Sequence, residues 1–287
     1  MPFHVPGQAA AHLCGKRMQL YPCLCEMRLM KILVTGHKGF IGGNLMALLE
    51  EHGYQPEGFD LGDAFPAGRY DIIIHLAARG LIRKSVELPY AYYDDDLTLT
   101  MRFLEKARVE GSRFVFPSSG AASSPTNPYA LSKKQAVEWI DLYRKLYSMK
   151  AYDLRFFNIY GPGSRKGGVY LFTKMALEGG PIELLGDGKD IRDFVYVGDV
   201  ARFLLDIIES RVPPGHYEVG TGVGTSIEGL AEKIAGAVGK RMEIVKKPDV
   251  IETARTLVAS EPALREPVPL DEGIRRVIDF IRSDVDQ

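Results

Sequence analysis

"MKILVTGHKGFIGGNLMALLEEHG", residues 30–53, decides how the rest of the chain is read. "MKILVTG" (30–36) is a short apolar run ending in glycine, the pattern of a parallel strand buried on both faces. "FIGGNLMALLEEHG" (40–53) has helical character and closes on Gly53. Between them, Gly36, Gly39 and Gly42 give G-x-x-G-x-x-G. Glycines at this spacing permit a tight turn and let the backbone approach a pyrophosphate at the positive end of a helix. Asp60 ends the next strand, "YQPEGFD" (54–60), where a carboxylate would accept hydrogen bonds from an adenosine ribose. An acid there repels a 2′-phosphate, and no arginine stands immediately beside it, so NAD is expected rather than NADP. The expected cofactor cradle is Gly36, Gly39, Phe40, Ile41 and Gly42, with Asp60 opposite.

Outward from this unit, strand and helix signals alternate. "YDIIIHLAA" (70–78), "RFVFPSS" (113–119) and "AYDLRFF" (151–157) read as strands, and "YYDDDLTLTMRFLEKARVEG" (92–111) reads as a helix ending at Gly111. The alternation implies right-handed crossovers and a doubly wound parallel α/β sheet. Pro56 places the 54–60 strand at an edge. In the second half, "PIELLGDGKDIRDFVYVGDVARFLLDIIES" gives strand, a turn at Gly186-Asp187-Gly188, strand and helix. Thr225 and Glu228 have capping-box spacing. The expected division is a leader over 1–29, a mainly dinucleotide-binding Rossmann domain over 30–157, and a smaller α/β substrate lobe over 158–287. Some segments of that lobe are expected to return to the first domain.

The net charge is −1, no long basic or acidic block occurs, and no apolar run reaches the length of a membrane span. Nucleic acid and membrane are therefore not expected partners. The first 29 residues hold all three cysteines, Cys14, Cys23 and Cys25, without the order of a secretory signal or enough ligands for zinc. The expectation is that translation starts at Met27 or Met30. The remainder, free of cysteine, needs no disulfide and is expected in the cytoplasm. No metal site is expected.

"SSPTNPYALSKK" (123–134) carries the chemistry. Asn127 is a good N-cap and Pro128 suits a first helical position. Tyr129 and Lys133 then stand one turn apart on one helix face, where an ammonium group eases ionisation of a phenol. With the glycine loop, Tyr129-x-x-x-Lys133 and "FVFPSS", the chain resembles the extended short-chain dehydrogenase/reductases, particularly the NAD-dependent nucleotide-sugar epimerases. "HLAA" (75–78), "RFFNIYGPG" (155–163), "GDG" (186–188) and "RDFVYVGDVA" (192–201) look like further landmarks of that family, over about residues 30–245.

The resemblance implies that Tyr129 is the catalytic base, Lys133 its partner and a nicotinamide-ribose contact, and Ser119 the hydroxyl at the sugar's reacting oxygen. It also implies that Ala77 and Phe157 line NAD, and that Asn158, Arg192 and Arg255 meet the pyrophosphate of a nucleotide-diphosphate sugar. A homodimer through the Tyr129 and Asp96 helices is implied as well. Dehydratases of this kind carry Asp-Glu after the hydroxyl residue and decarboxylases a Glu; here Gly120 and Ala121 follow Ser119. The expected reaction is therefore inversion at C4 through a transient 4-keto sugar, with UDP-glucose/UDP-galactose as first choice. A 4-keto-sugar reductase and a non-catalytic dinucleotide-binding sensor or scaffold are the alternatives.

Four departures stand out. The Asp60–Asp71 connection is too short for the family's further strand and helix, so an edge of the sheet is expected to be missing, with Asp63 as a substitute adenine contact. The Ser119–Tyr129 loop is about half the usual length. Asp96 and Leu99 replace the family's Asn and Gly, and the carboxyl end is short.

Simpler readings stand beside these. His75 reads as strand-end packing, His37 as a solvent-facing loop residue, and Asp94–Asp96 as a solvated helix start. Arg192-Asp193 alone reads as a surface ion pair. Trp139, Tyr143 and Tyr147 read as core or a helix-packing dimer face.

Overall fold

In the computed structural model, which describes residues 30–239, 242–248 and 254–285, the run after Met30 forms β1 (Ile32–Thr35). All four of its residues are buried, and the glycine turn leads into α1 (Phe40–Glu51). The leader expectation, including its cysteines, lies outside the described residues. The alternation continues through β2 (Glu57–Phe59), β3 (Ile72–His75), α2 (Ile82–Glu87) and α3 (Pro89–Tyr92). A π-helical turn (Tyr93–Thr98) runs straight into α4 (Leu99–Glu110), which stops at Gly111 with φ of 75°. Then come β4 (Arg113–Ser119), a 3₁₀ turn (Gly120–Ser123), α5 (Pro128–Tyr147), β5 (Ala151–Phe156) and β6 (Asn158–Tyr160).

The second half holds α6 (Gly168–Glu178), β7 (Ile182–Leu185), β8 (Ile191–Tyr196), α7 (Val197–Ile208), β9 (His216–Val219) and β10 (Gly224–Ser226). It continues with α8 (Ile227–Val238), β11 (Ile244–Lys247), β12 (Thr256–Leu257) and α9 (Leu270–Val285). Among the described residues no helix is long and apolar enough to cross a membrane.

Six parallel strands form the main sheet in the order β2-β1-β3-β4-β5-β9. The reversal beside β1 is the switch point at which open α/β sheets bind ligands, beyond the carboxyl ends of the strands. One apolar layer joins α1 and α7 to the sheet through Leu45, Leu49, Leu204 and Ile208; the other joins α4 and α5 through Phe103, Leu104, Ala136 and Ile140. β9 comes from the second half of the chain, so residues beyond 158 complete the first sheet. A separate core packs α6, α8 and α9 over β7 and β8. In α9, Ile274, Val277, Ile278 and Ile281 recur at helical spacing and are all buried. Burial of this kind contributes roughly 1.5–3 kcal/mol per side chain.

β2 pairs with β1 alone and closes the sheet on that side, as the trimmed Asp60–Asp71 connection implies. One local expectation is corrected. The cap of α8 is Ser226, whose Oγ accepts the Gly229 N–H at 3.0 Å, because Thr225 is drawn into pairing with Arg192 of β8.

Candidate active site

Gly36, Ala77, Ser119 and Phe157 lie at the carboxyl ends of β1, β3, β4 and β5, on one rim of the sheet. Gly36 takes φ of +71°, and a Cβ there would stand 2.7 Å from the Ala77 nitrogen. A Cβ on Gly42 would fall inside contact distance of the Gly36 carbonyl oxygen, so the helix meets the turn only without a side chain. No side chain caps the first turn of α1, and no acid occupies it. Its N–H groups are thus left for an anion, between Phe40 and Ile41 on one side and the Ala77 backbone on the other. Asp60 is fixed at the end of β2 by the N–H groups of Lys38 (3.1 Å) and Leu61 (3.2 Å). A carboxylate retains further lone pairs for ribose hydroxyls. The cradle fits a dinucleotide.

Two neighbours of this loop differ from expectation. The His37 ring packs over Gly58, where an added Cβ would overlap it, and lies 3.8 Å from Asp60; it is not solvent-facing. Gly58 leaves the space that the ring fills. Asp63 accepts the Asp60 N–H at 2.7 Å and pairs with Lys38, so it braces the turn that holds Asp60.

The Tyr129 helix starts as its sequence indicates, with Asn127 Oδ1 accepting the Ala130 N–H at 2.9 Å and Pro128 at the first position. The Ser119 hydroxyl stands beside the Tyr129 phenol and draws its pKa down. Burial dominates, however, and with the Asp96 carboxylate and Tyr92 pushes the phenol up to about 12. Lys133 stands one turn further along the same helix. Its side chain turns toward the sheet, and Nζ lies 4.5 Å from the centre of the Phe116 ring. Burial lowers the Lys133 pKa, while Asp96 and Asp153 raise it.

Asp96 corrects the reading of the acidic run as a solvated helix start. Asp94 is exposed and Asp95 pairs with Arg79, but Asp96 is 3% exposed. The π turn rotates it inward, where Oδ1 accepts the Arg79 N–H at 2.7 Å. Burial raises its pKa, and the Lys133 charge opposes this. His75 is the packing residue its position suggested. Fully buried, its pKa is pushed down to about 3 by burial and the Lys133 charge. Its tautomer follows from its partners. Thr35 Oγ1 accepts the Ala77 N–H (3.0 Å) and donates to His75 Nδ1 (2.8 Å), because Thr100, whose own proton goes to a carbonyl, claims the ring proton at Nε2. His75 Nε2 then donates to Thr100 Oγ1 (3.0 Å), which donates to the Asp96 carbonyl (2.5 Å). One chain of hydrogen bonds thus ties the end of β1 to the backbone of Asp96.

Asn158 follows Phe157, and its Oδ1 is buried with no hydrogen-bond partner among the described residues. The Gly161–Gly163 turn beside it meets the start of α1, with Asn44 Nδ2 3.4 Å from the Pro162 carbonyl. Arg192 does not pair with Asp193. Its guanidinium bonds Asp190 (2.9 Å), while Asp193 is wholly buried and accepts from Thr221, Gly222 and Ala259. Arg255 bonds Asp187 (2.9 Å) and Asp190 (3.1 Å), so the two arginines meet over one acid. Leu257, in register with Arg192, approaches Gly120 beside Ser119. The sequence reading passed over Thr35, Thr100, Asp153 and His216. The acid within the strand "AYDLRFF" was the one available signal.

The model of the NAD-dependent epimerase/dehydratase family matches residues 57–220, more than half of the chain. The chain belongs to that family. It is an enzyme of the epimerase type, and NAD is its cofactor. A UDP-glucose 4-epimerase of Mycolicibacterium smegmatis is 29% identical over 88% of this chain and 99% of its own. A UDP-glucuronate 4-epimerase of Thermodesulfobacterium geofontis is 30% identical over 75% of this chain and 73% of its own. Among solved structures, the UDP-glucose 4-epimerase of Thermus thermophilus in complex with NAD is 29% identical. It superposes with a TM-score of 0.79 over 88% of this chain and 99% of its own.

Proposed function

We propose that the enzyme inverts C4 of a nucleotide-diphosphate sugar, with UDP-glucose and UDP-galactose as the leading pair. The observation that carries this reading is the Ser119 hydroxyl beside the Tyr129 phenol at the cofactor rim, with no acid following Ser119. A Cβ on Gly120 would stand 3.0 Å from Phe157 and 3.2 Å from Leu257, so a carboxylate there would have to push both side chains aside. Bound NAD supplies the hydride acceptor, the hydride donor and a positive charge beside the phenol. Tyr129 takes the proton from the C4 hydroxyl and returns it, and Ser119 holds the same oxygen. Lys133 supplies positive charge and bonds the nicotinamide ribose. Gly36, Gly39, Phe40, Ile41, Gly42, Asp60, Ala77 and Phe157 hold the cofactor; Asn158, Arg192 and Arg255 hold the pyrophosphate. The same reading divides the chain near residue 157 and places the enzyme in the cytoplasm.

The test is conversion of UDP-galactose to UDP-glucose by protein with bound NAD and no added reductant, with Tyr129→Phe alongside. The uronate-processing relative makes UDP-glucuronate the second substrate to offer. Turnover that requires stoichiometric NADH would instead indicate a reductase. We further propose a homodimer through α5, whose Leu131, Trp139, Leu142 and Leu146 are each more than 40% exposed. Light scattering that gives a monomer mass would overturn it.

A further inference from the structure

A single row of side chains crosses the main sheet on the face covered by α4 and α5. Thr35 is in register with His75, and the His75 ring stacks on that of Phe116 at 6.2 Å. Phe116 is in register with Asp153, and Asp153 with His216. Register partners in a parallel sheet point to the same face. Lys133 comes down from α5 onto the middle of this row, over Phe116. A buried carboxylate therefore stands on each side of it: Asp96, tied to the row through Thr100 and His75, and Asp153, next to Phe116. Each keeps one buried oxygen, Asp96 Oδ2 and Asp153 Oδ1, with no hydrogen-bond partner among the described residues. An ammonium group taken out of water loses its proton unless negative charge faces it, and these two acids supply that charge.

The other oxygen of Asp153 leads outward. Its Oδ2 accepts from His216 Nδ1 at 3.1 Å, and the His216 side chain is 48% exposed at the sheet edge, in a cleft of about 1000 Å³. The second ring nitrogen has a partner for either protonation state. Arg144 Nη1 lies 2.7 Å from Nε2 and can donate to neutral imidazole; Asp141 Oδ1 lies 3.1 Å away and can accept from imidazolium. Both partners belong to α5, the helix that carries Lys133.

We propose that Asp153 is a positioning residue that keeps Lys133 charged beneath Tyr129, and that His216 is the surface switch setting the strength of that hold. The roles of Lys133 and Tyr129 rest on the epimerase reading. When His216 is protonated, the imidazolium neutralises Asp153. When it is neutral, the Asp153 charge acts on Lys133 undiminished, and the ammonium group holds its proton more tightly. Two strand spacings, roughly 10 Å, separate His216 from Phe116. One unit charge at that distance and an effective dielectric near 20 changes proton affinity about tenfold, less where solvent screens it. The groups facing His216 are Asp153 and Arg155 on β5, Asp141 and Arg144 on α5, Glu218 on its own strand, and Asp206 and Arg211 across the cleft. Those facing Lys133 are Asp96, Asp153 and His75.

The experiment is ¹⁵N NMR of the Lys133 ammonium, assigned by its loss in Lys133→Met, titrated over pH in the full chain. Asp153→Asn is expected to lower the Lys133 midpoint by about one unit or more. His216→Gln is expected to abolish the step that the Lys133 signal shows at the midpoint of His216. A Lys133 midpoint unmoved in folded Asp153→Asn overturns the proposal. Should that variant not fold, a step that persists in His216→Gln does the same. The rate of epimerisation is recorded in parallel. Wild-type protein without turnover would count against the epimerase reading, while the NMR titrations still decide the role of Asp153 and His216.

Discussion

Asp193→Ala is predicted to loosen the lobe that carries Arg192. The Asp193 carboxylate is fully buried and accepts the Thr221 N–H (3.0 Å), the Gly222 N–H (2.9 Å), the Ala259 N–H (3.2 Å) and the Thr221 hydroxyl (2.6 Å). These bonds join β8 to the turn after β9 and to the segment after β12. Alanine leaves three backbone donors and a hydroxyl without a partner, at about 1–3 kcal/mol for each group that stays dry. Removing a buried charge offsets part of that loss, for a net destabilisation of about 3–5 kcal/mol. For a chain of this size the melting temperature should fall by roughly 6–15 °C. Asp193→Asn keeps one acceptor oxygen but turns an amide donor toward an N–H group, and should lose about half as much. Circular dichroism melts give the first quantity. The KM for nucleotide sugar, expected to rise because Arg192 sits next to Asp193, gives the second. An Asp193→Ala protein melting within about 2 °C of wild type, with an unchanged KM, would show that water or a local shift replaces the carboxylate.

Gly42→Ala should abolish retention of NAD, because its Cβ overlaps the Gly36 carbonyl oxygen; native mass spectrometry of the purified protein reads this directly. Ser119→Ala removes the hydroxyl that draws the Tyr129 phenol down. Turnover should fall on the order of a hundredfold, and the acid limb of the pH profile should move to higher pH. His216 gains its raised pKa chiefly from the hydrogen bond to Asp153. That contribution to stability is full below the unfolded imidazole value, near 6.5, and is lost as pH rises through the folded value. Melts across that range should therefore decline more steeply on the alkaline side in wild type than in His216→Gln. Phe65→Ala should destabilise the protein by about 2–3 kcal/mol and weaken NAD retention, measured by differential scanning fluorimetry with and without NAD.

The fold was legible wherever one period dominated. β1, β3 and β4 read as apolar runs because parallel strands buried on both faces admit little else, and the turn at Gly36–Gly42 needs glycine for steric reasons visible in sequence. The start of α5 was equally plain, since Asn127 and Pro128 act within one turn of chain. What escaped depends on partners distant in sequence. "YYDDDLTLT" carries an ordinary helical signal, so nothing local reveals that a π turn buries Asp96 while Asp94 stays in water. Arg192-Asp193 are sequence neighbours on a strand, and strand alternation sends their side chains to opposite faces. The row from Thr35 to His216 draws on five strands, and its register is fixed only when the sheet assembles.

The two trimmed connections change what the remaining residues must do. With no strand beyond β2 among the described residues, the core under that edge would face water. Instead the short 61–70 segment folds back, and Phe65 packs on Phe59 (6.3 Å) and Phe103 (4.8 Å), with the Arg102 guanidinium over its outer face at 4.3 Å. One aromatic ring thereby closes the layer and steadies the strand that presents Asp60. At the other site, the loop after Ser119 is a single 3₁₀ turn, held by Ala121 N–H to Ser119 Oγ (3.2 Å) and Ser123 Oγ to the Gly120 carbonyl (2.9 Å). A turn that short brings Gly120 against Phe157 and Leu257, which joins the Ser119 turn to the strand paired with Arg192. A longer loop would leave room for an acid beside Ser119. On the proposed reading this one leaves the Tyr129 phenol as the ionisable group at the sugar, so control of the charge around it falls to the neighbouring Asp96.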